Sequence, residues 1–336
     1  MNISIDFLLK GITILSLILI FLSIYLAFKR SREIAMNKGI KLYIQNKQDK
    51  WCEYFTNEFP LSAELIPRNE IEIKAIEEIF LSYIQNLSNV GIKKRIQDFS
   101  NEYLNQYYKR LLHSKRWSLR MNAMYRIIDF QIDSLEDECK KMGERKLSQD
   151  ERFQLLVIHS NFSADTFLKE FVTLSIRFSE YEYKKLLINI DSEMLQELTY
   201  QTDELPVECQ YSLIDVLGIR HDMEFSPFLE SNLKSENPEI RIRSLRAINE
   251  IGIVTKLDNY MDFLNSSLWE ERLMMARILR NFPLNQVHPY LEKLLKDENW
   301  WVRSQASKTI GDSRNGKEKL ESYIKIGQEK YATDLA

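Results

Sequence analysis

The side chains able to do chemistry are scattered along this 336-residue chain. His113, His159, His221 and His288 stand far apart. They lack the His-x-x-His or His-Glu-x-x-His spacing that would put two imidazoles on one helix face for a metal, so surface and cap roles are expected. The pair His221-Asp222 falls in a link between elements, where Asp is ordinary turn chemistry. Cys52, Cys139 and Cys209 are odd in number and free of Cys-x-x-Cys pairing, which predicts buried reduced thiols rather than a disulfide framework or a zinc site. Nine glycines, with no Gly-x-Gly-x-x-Gly, Walker loop or Gly-x-Ser-x-Gly, leave little material for cradling a phosphate or presenting a nucleophile. No catalytic residue, cofactor, metal or small-molecule substrate is expected.

A set of cations does recur. Trp300-x-x-Arg303 returns as Trp269-x-x-Arg272 and as Pro238-x-x-Arg241, each 31 residues earlier, and one further step lands on Val207-x-x-Gln210. Five positions beyond the three marker arginines stand Arg246, Arg277 and Lys308. At about 100° per residue, the apolar positions 3, 6 and 7 after each marker arginine centre near about 290°, and the fifth falls at about 140°, almost opposite. All three cations are therefore predicted to face solvent on successive helices. They read as a docking stripe for a protein partner with an acidic surface, or more plainly as a solvated face. The formal net charge of −3 argues against a long basic groove for DNA or RNA.

The elements that must position these cations are repeats. The stretch from Tyr290 to Arg303 echoes that from Tyr107 to Arg120, with Tyr, Leu-Leu, Trp and Arg in register over 183 residues, or six units of about 30. Each unit holds one helix led by a Trp or Pro marker. A second precedes it, in Phe228-Leu229…Leu233, Tyr260-Met261…Leu264 and Tyr290-Leu291…Leu294-Leu295. Links such as Ser235-Glu236-Asn237-Pro238 carry turn and N-cap chemistry. Sustained period-two alternation is absent, so strands are not expected.

The segments Asn237 to Ile248 and Trp301 to Gly311 resemble the HEAT-repeat signature Pro-x-Val-Arg-x-x-Ala-x-x-Ala-Leu-Gly. The resemblance is good over residues 205–312, fair over 105–128 and faint over 130–204, where Asp150 to His159 and Phe178 to Ile188 fall near the phase without the markers. It implies an all-α solenoid, a curved stack whose second helices line a concave partner-binding face. It also implies that the marker arginines pair with an acid of the adjacent repeat. Trp117, Trp269 and Trp300 occupy one repeated slot and are expected to pack at turns; Trp51 and Trp301 lie outside it. An enzyme on such a fold, of lyase or nucleic-acid glycosylase type, is the alternative; it would need acidic and aromatic residues gathered in one concave pocket, and none align across the repeats.

Ahead of the repeats, Gly11 to Phe28 carry no charge. They span about 27 Å, and extension to Leu8 with Lys10 snorkelling approaches the roughly 30 Å hydrocarbon core. Lys29, Arg30, Arg32, Lys38, Lys41, Lys47 and Lys50 follow, against Glu33 and Asp49. The positive-inside rule then predicts a single-pass cell-membrane anchor with the N-terminus out and the bulk cytoplasmic. A cleaved signal peptide is the rival, but the apolar run exceeds the usual length and lacks a small-x-small end. The expected organisation is a tail over 1–7, a transmembrane helix over 8–28, a basic juxtamembrane segment over 29–50, a helical cap over 51–104, HEAT-like repeats over 105–316, and a last helix and tail over 317–336. Function is expected to be that of a non-catalytic, membrane-anchored scaffold, for a membrane enzyme or an envelope-biogenesis complex.

Overall fold

A computed structural model describes residues 5–56, 60–86, 89–173, 177–252, 254 and 256–313, with side chains from Gly11 onward. The helix and tail expected over 317–336 lie outside the described residues. Those residues contain helices and no strands, and they divide into two compact units, one ending at Ile158 and one beginning at His159.

The first unit starts with α1 (Ile5–Thr56), a helix of 52 residues and about 78 Å. No break falls at 28/29 or 50/51, where the sequence suggested changes of segment. Lys, Arg, Glu, Ala, Met and Gln dominate the stretch after Phe28, and these are strong helix formers that give the chain no reason to stop. Every residue from Gly11 to Ala35 is exposed, and the apolar window of α1, with mean hydropathy 2.5, is not buried anywhere in the fold. The far end of α1 is buried in protein. Trp51 is wholly enclosed, with Phe80 and Phe99 edge-on at 5.1 Å and Phe55 stacked at 5.7 Å. Gly39 permits a close crossing, since a Cβ there would meet Ile71 at 3.0 Å.

Helix α2 (Glu70–Asn86) opens as its sequence suggests. Asn69 accepts the Glu72 amide at 3.0 Å, and Glu72 accepts the Arg68 amide at 2.8 Å. Then follow α3 (Val90–Phe99), a π turn at Ser100–Leu104, α4 (Asn105–Leu112), α5 (Trp117–Asp129), α6 (Glu136–Gly143) and α7 (Gln149–Phe162). Tyr108 of α4 donates to Glu77 of α2 at 2.6 Å, and Phe80 meets Phe130 edge-on at 5.5 Å. Residues 51–104 thus share one core with the helix pair α4–α5 and cap it.

The second unit holds α8 (Ala164–Thr173), α9 (Glu180–Leu187), α10 (Ser192–Tyr200), α11 (Val207–Arg220), α12 (Ser226–Ser231), α13 (Pro238–Ile251), a 3-10 helix (Leu257–Asn265), α14 (Trp269–Ile278), α15 (Leu284–Leu294) and α16 (Trp300–Gly311). Helices α9, α11, α13, α14 and α16 are the second members of successive pairs, and each packs on the next. The aligned positions Leu213, Val216, Leu217, Ser244, Ala247, Ile248, Ala306, Thr309 and Ile310 are all buried. Gly218 is required where α11 meets α13, because a Cβ there would come within 2.8 Å of the Ala247 Cα.

The repeat phase also runs through residues 130–204, under different markers. Ser148 stands 31 residues after Trp117 and Ser179 another 31 on, followed by a short step of 28 to Val207. Both serines head capping boxes. The Ser148 amide donates to Glu151 at 3.0 Å and the Ser179 amide to Glu182 at 2.8 Å, and each serine hydroxyl accepts the returning Glu amide at 3.3 Å. The element around Tyr260 is a 3-10 helix instead of the α-helix its pattern suggested. At about 2.0 Å per residue its nine residues cover about 18 Å, close to the eleven-residue α15 at about 1.5 Å per residue. The tighter winding keeps a short segment long enough to cross its neighbours.

Ile278 is fully buried and Lys296 is exposed. Ile278→Asp should therefore cost several kcal/mol by burying an unpaired charge, whereas Lys296→Ala should shift stability by about 0.5 kcal/mol or less. Urea unfolding followed by circular dichroism measures both, and equal tolerance would refute the register.

Candidate interaction surface

Four marker arginines make one repeated contact. Nη1 of Arg241 donates to the carbonyls of Ser235 and Glu236 at 2.8 and 3.1 Å, closing the turn between α12 and α13, while its Nε reaches Glu271 of the following pair at 2.6 Å. Arg120 treats Ser114 and Lys115 in the same way, at 2.9 and 3.0 Å, and reaches Glu151 at 2.6 Å. Arg272 holds the Ser266 carbonyl at 2.8 Å and grips Asp297 with Nε at 2.6 Å and Nη2 at 2.9 Å. Arg303 closes its own turn on the carbonyls of Asp297 and Glu298, at 2.9 and 3.0 Å. The pairing with an acid of the adjacent repeat is therefore present, and it is a structural use of charge. Glu151 and Glu271 are almost completely buried. Burial pushes the Asp297 carboxyl up, but the hydrogen bonds from Arg272 and from the Asn299 amide outweigh it and hold the group below its ordinary 3.8.

The three cations singled out in the sequence are not equivalent. Arg246 and Lys308 are exposed, as their helical phase predicts. Arg277 is half-buried and donates from Nε to Gln305 at 3.3 Å, so the expectation that it faces solvent is corrected. The reason is the side chain 28 residues on, in the next second helix. Asp215 of α11 meets Arg243 at that offset, at 2.7 Å, and Arg277 meets Gln305. For Arg246 the residue at that offset is Met274, which is buried and apolar and offers the guanidinium nothing. Arg246 thus keeps its charge in water.

Arg243, which the sequence did not single out, is the most heavily used cation of this face. It reaches Glu180 at 2.9 Å, Asp215 at 2.7 Å and Glu239 at 2.6 Å, and its guanidinium lies over the Tyr211 ring at 4.6 Å. Lys184 also binds Asp215, at 2.6 Å. The fixed 28-residue offset was the signal that could have revealed this cluster. Asp215 stands 31 residues before Arg246, in the same column. The column is acidic and neutralised at α11 but cationic at α13 and α16.

The other candidates settle into structural roles. His221 takes the left-handed conformation, φ 55°, that ends α11, and its Nδ1 lies 2.8 Å from the Glu250 carbonyl. His159 was expected on a surface or at a cap; it is fully buried, 3.1 Å from Glu170, because α7 turns that face inward. Trp51 is core, whereas Trp300 and Trp301 stay partly exposed and pack edge-on to each other at 4.6 Å. Trp117 is 47% exposed and donates to Ser148 at 3.2 Å, so its ring covers a turn from outside. A groove of about 600 Å³ opens beside Glu230, Lys234, Arg241, Asp262 and Glu271, but Arg241 and Glu271 are committed to each other and Glu230 to Tyr260. Among the described residues no group of three or more His, Cys, Asp or Glu could hold a metal ion.

Comparison with known proteins places one segment of this architecture. Residues 289–312, comprising most of α15 and all of α16, match the HEAT repeat family. The chain contains a HEAT repeat. Within that HEAT repeat lie the marker Arg303, its turn and Lys308. Two crystal structures described as engineered proteins also align. One is 16% identical over 72% of this chain and 96% of its own length, and the other 15% identical over 81% and 80%, each with a TM-score of 0.26. A score that low carries no argument about this chain. No curated protein matches it.

Since the folded-state pKa of Asp297 lies below its unfolded value, its stabilisation is complete above the ordinary carboxylate range and is lost as pH falls through the folded-state value. Asp297→Asn should lower stability at neutral pH and should lose less than the wild type between roughly pH 5 and pH 3. Arg241→Ala should cost about 3 kcal/mol or more, because it strands the buried Glu271 carboxylate. Chemical denaturation across the pH range checks both, and parallel acid limbs for wild type and Asp297→Asn would sink the assignment.

Proposed function

We propose that this protein is a non-catalytic, membrane-anchored scaffold. Residues 8–28 of α1 cross the membrane with the N-terminus outside. The helical repeats in the cytoplasm bind a protein partner with an acidic surface, belonging to a membrane enzyme or an envelope-biogenesis complex. Supporting the anchor is an apolar helix that buries none of its window in protein, followed by an excess of basic residues. The observation that carries the binding role is the contrast among cations. Arg241, Arg243 and Arg272 are engaged by carboxylates of this chain, whereas Arg246 and Lys308 stand exposed in the same column of the second helices. Charges left open in a rigid, regularly spaced frame suit recognition by charge complementarity.

Arg246→Glu with Lys308→Glu should leave melting within about 0.5 kcal/mol of wild type, because both are exposed. Capture of partners by the detergent-solubilised protein should fall, most strongly at low salt. Unchanged recovery would leave the column a solvated face. A reporter fused to the C-terminus should be active only in its cytoplasmic form, and an active extracytoplasmic reporter would reverse the orientation.

A further inference from the structure

Seven basic residues follow the apolar run of α1, and the fold divides them into two classes. Lys47 and Lys50 both reach Glu64, at 2.6 and 2.5 Å, and so tie the turn ahead of α2 back onto α1. Lys29, Arg30, Arg32, Lys38 and Lys41 are exposed, and among the described residues no carboxylate is bonded to them.

Because α1 is one unbroken helix, their heights above Phe28 follow from the helical rise. Lys29, Arg30 and Arg32 lie about 1.5, 3 and 6 Å beyond it, whereas Lys38 and Lys41 lie about 15 and 20 Å away. The polar layer on one side of a bilayer is about 5–7 Å deep. Only the first three therefore fall within it. Arg32 leans back toward the apolar end, its guanidinium 5.9 Å from the centre of the Phe28 ring. The rest of the first unit stops short of this turn. Its approach along α1 reaches Gly39, which faces Ile71, and Met36, whose sulfur lies 3.6 Å from the Lys74 ammonium. Met36 stands about 12 Å from Phe28. Three cations are thus held at phosphate height with no described part of the protein placed to neutralise them.

We propose that Lys29, Arg30 and Arg32 form a clamp for the headgroups of anionic phospholipids, so that the anchor selects acidic lipid and the body is held upright over it. The inference rests on the reading of α1 as a membrane span. The rigid helix makes the contact specific in height, because cations two turns further on are carried out of the headgroup layer.

The full-length protein, reconstituted into phosphatidylcholine vesicles doped with spin-labelled phosphatidylglycerol or spin-labelled phosphatidylcholine, tests it. The wild type should restrict the anionic label several-fold more than the zwitterionic one, and the preference should shrink as salt rises. The variant Lys29→Gln, Arg30→Gln, Arg32→Gln should lose that preference, whereas Lys47→Gln with Lys50→Gln should keep it. No preference in the wild type, or equal preference in the triple variant, overturns the clamp. Alkaline extraction of the same vesicles separates the two readings: a wild-type chain that washes out defeats the anchor and the clamp together, and one that resists extraction without preferring acidic lipid defeats the clamp alone.

Discussion

The contact on which the repeats depend is the forked grip of the marker arginine. A helical pair buries its apolar stripe only against its neighbours, so the relative placement of pairs decides whether a core exists. In Arg120, Arg241 and Arg272 one nitrogen holds the carbonyls that end the pair's own turn and another takes a carboxylate from the next pair. Turn geometry and inter-repeat register are thereby set by one planar group. Guanidinium suits this role because its donors diverge in a fixed plane, which a lysine ammonium cannot reproduce. With the acids nearly buried at Glu151 and Glu271, loss of either partner would leave charge out of water, and this penalty favours the native register over slipped alternatives.

The same regularity governs the charges left on the surface. A second helix offers a side chain to the one 28 residues on, and the chemistry at that position decides what becomes of a cation. Asp215 with Arg243 makes a neutral, buried-edge cluster, Arg277 with Gln305 a weaker polar pair, and Arg246 opposite Met274 no polar contact of that kind. The surface pattern is thus a by-product of partner identity along a fixed lattice, and the exposed charges are those whose lattice neighbour is apolar.

The anchor and the body are joined by continuity of one helix. Trp51 and Phe55 bury the last turns of α1 in an aromatic cluster with Phe80 and Phe99, while its first 25 side chains from Gly11 are all exposed. With no intervening Pro and with Gly39 serving only as a contact point for Ile71, the linkage transmits orientation as well as tethering.

Periodicity alone determined a good deal. The 31-residue recurrence of the marker and arginine located α11, α13, α14 and α16, and the apolar positions it aligned are buried in each case examined across α11, α13 and α16. The uncharged run located the exposed part of α1. These features were legible because they follow from local spacing and from helix geometry that every repeat shares. Tertiary structure decided the rest. Ser148 and Ser179 replace the Trp marker by capping boxes, a substitution visible only once Arg120 is seen to reach Glu151. The exposure of Arg277, the burial of His159 and the cluster around Arg243 depend on which side chain the neighbouring helix presents. A helical phase gives the direction in which a side chain leaves its own helix; what it meets there is set by packing between segments distant in sequence, and that is information no single window of residues contains.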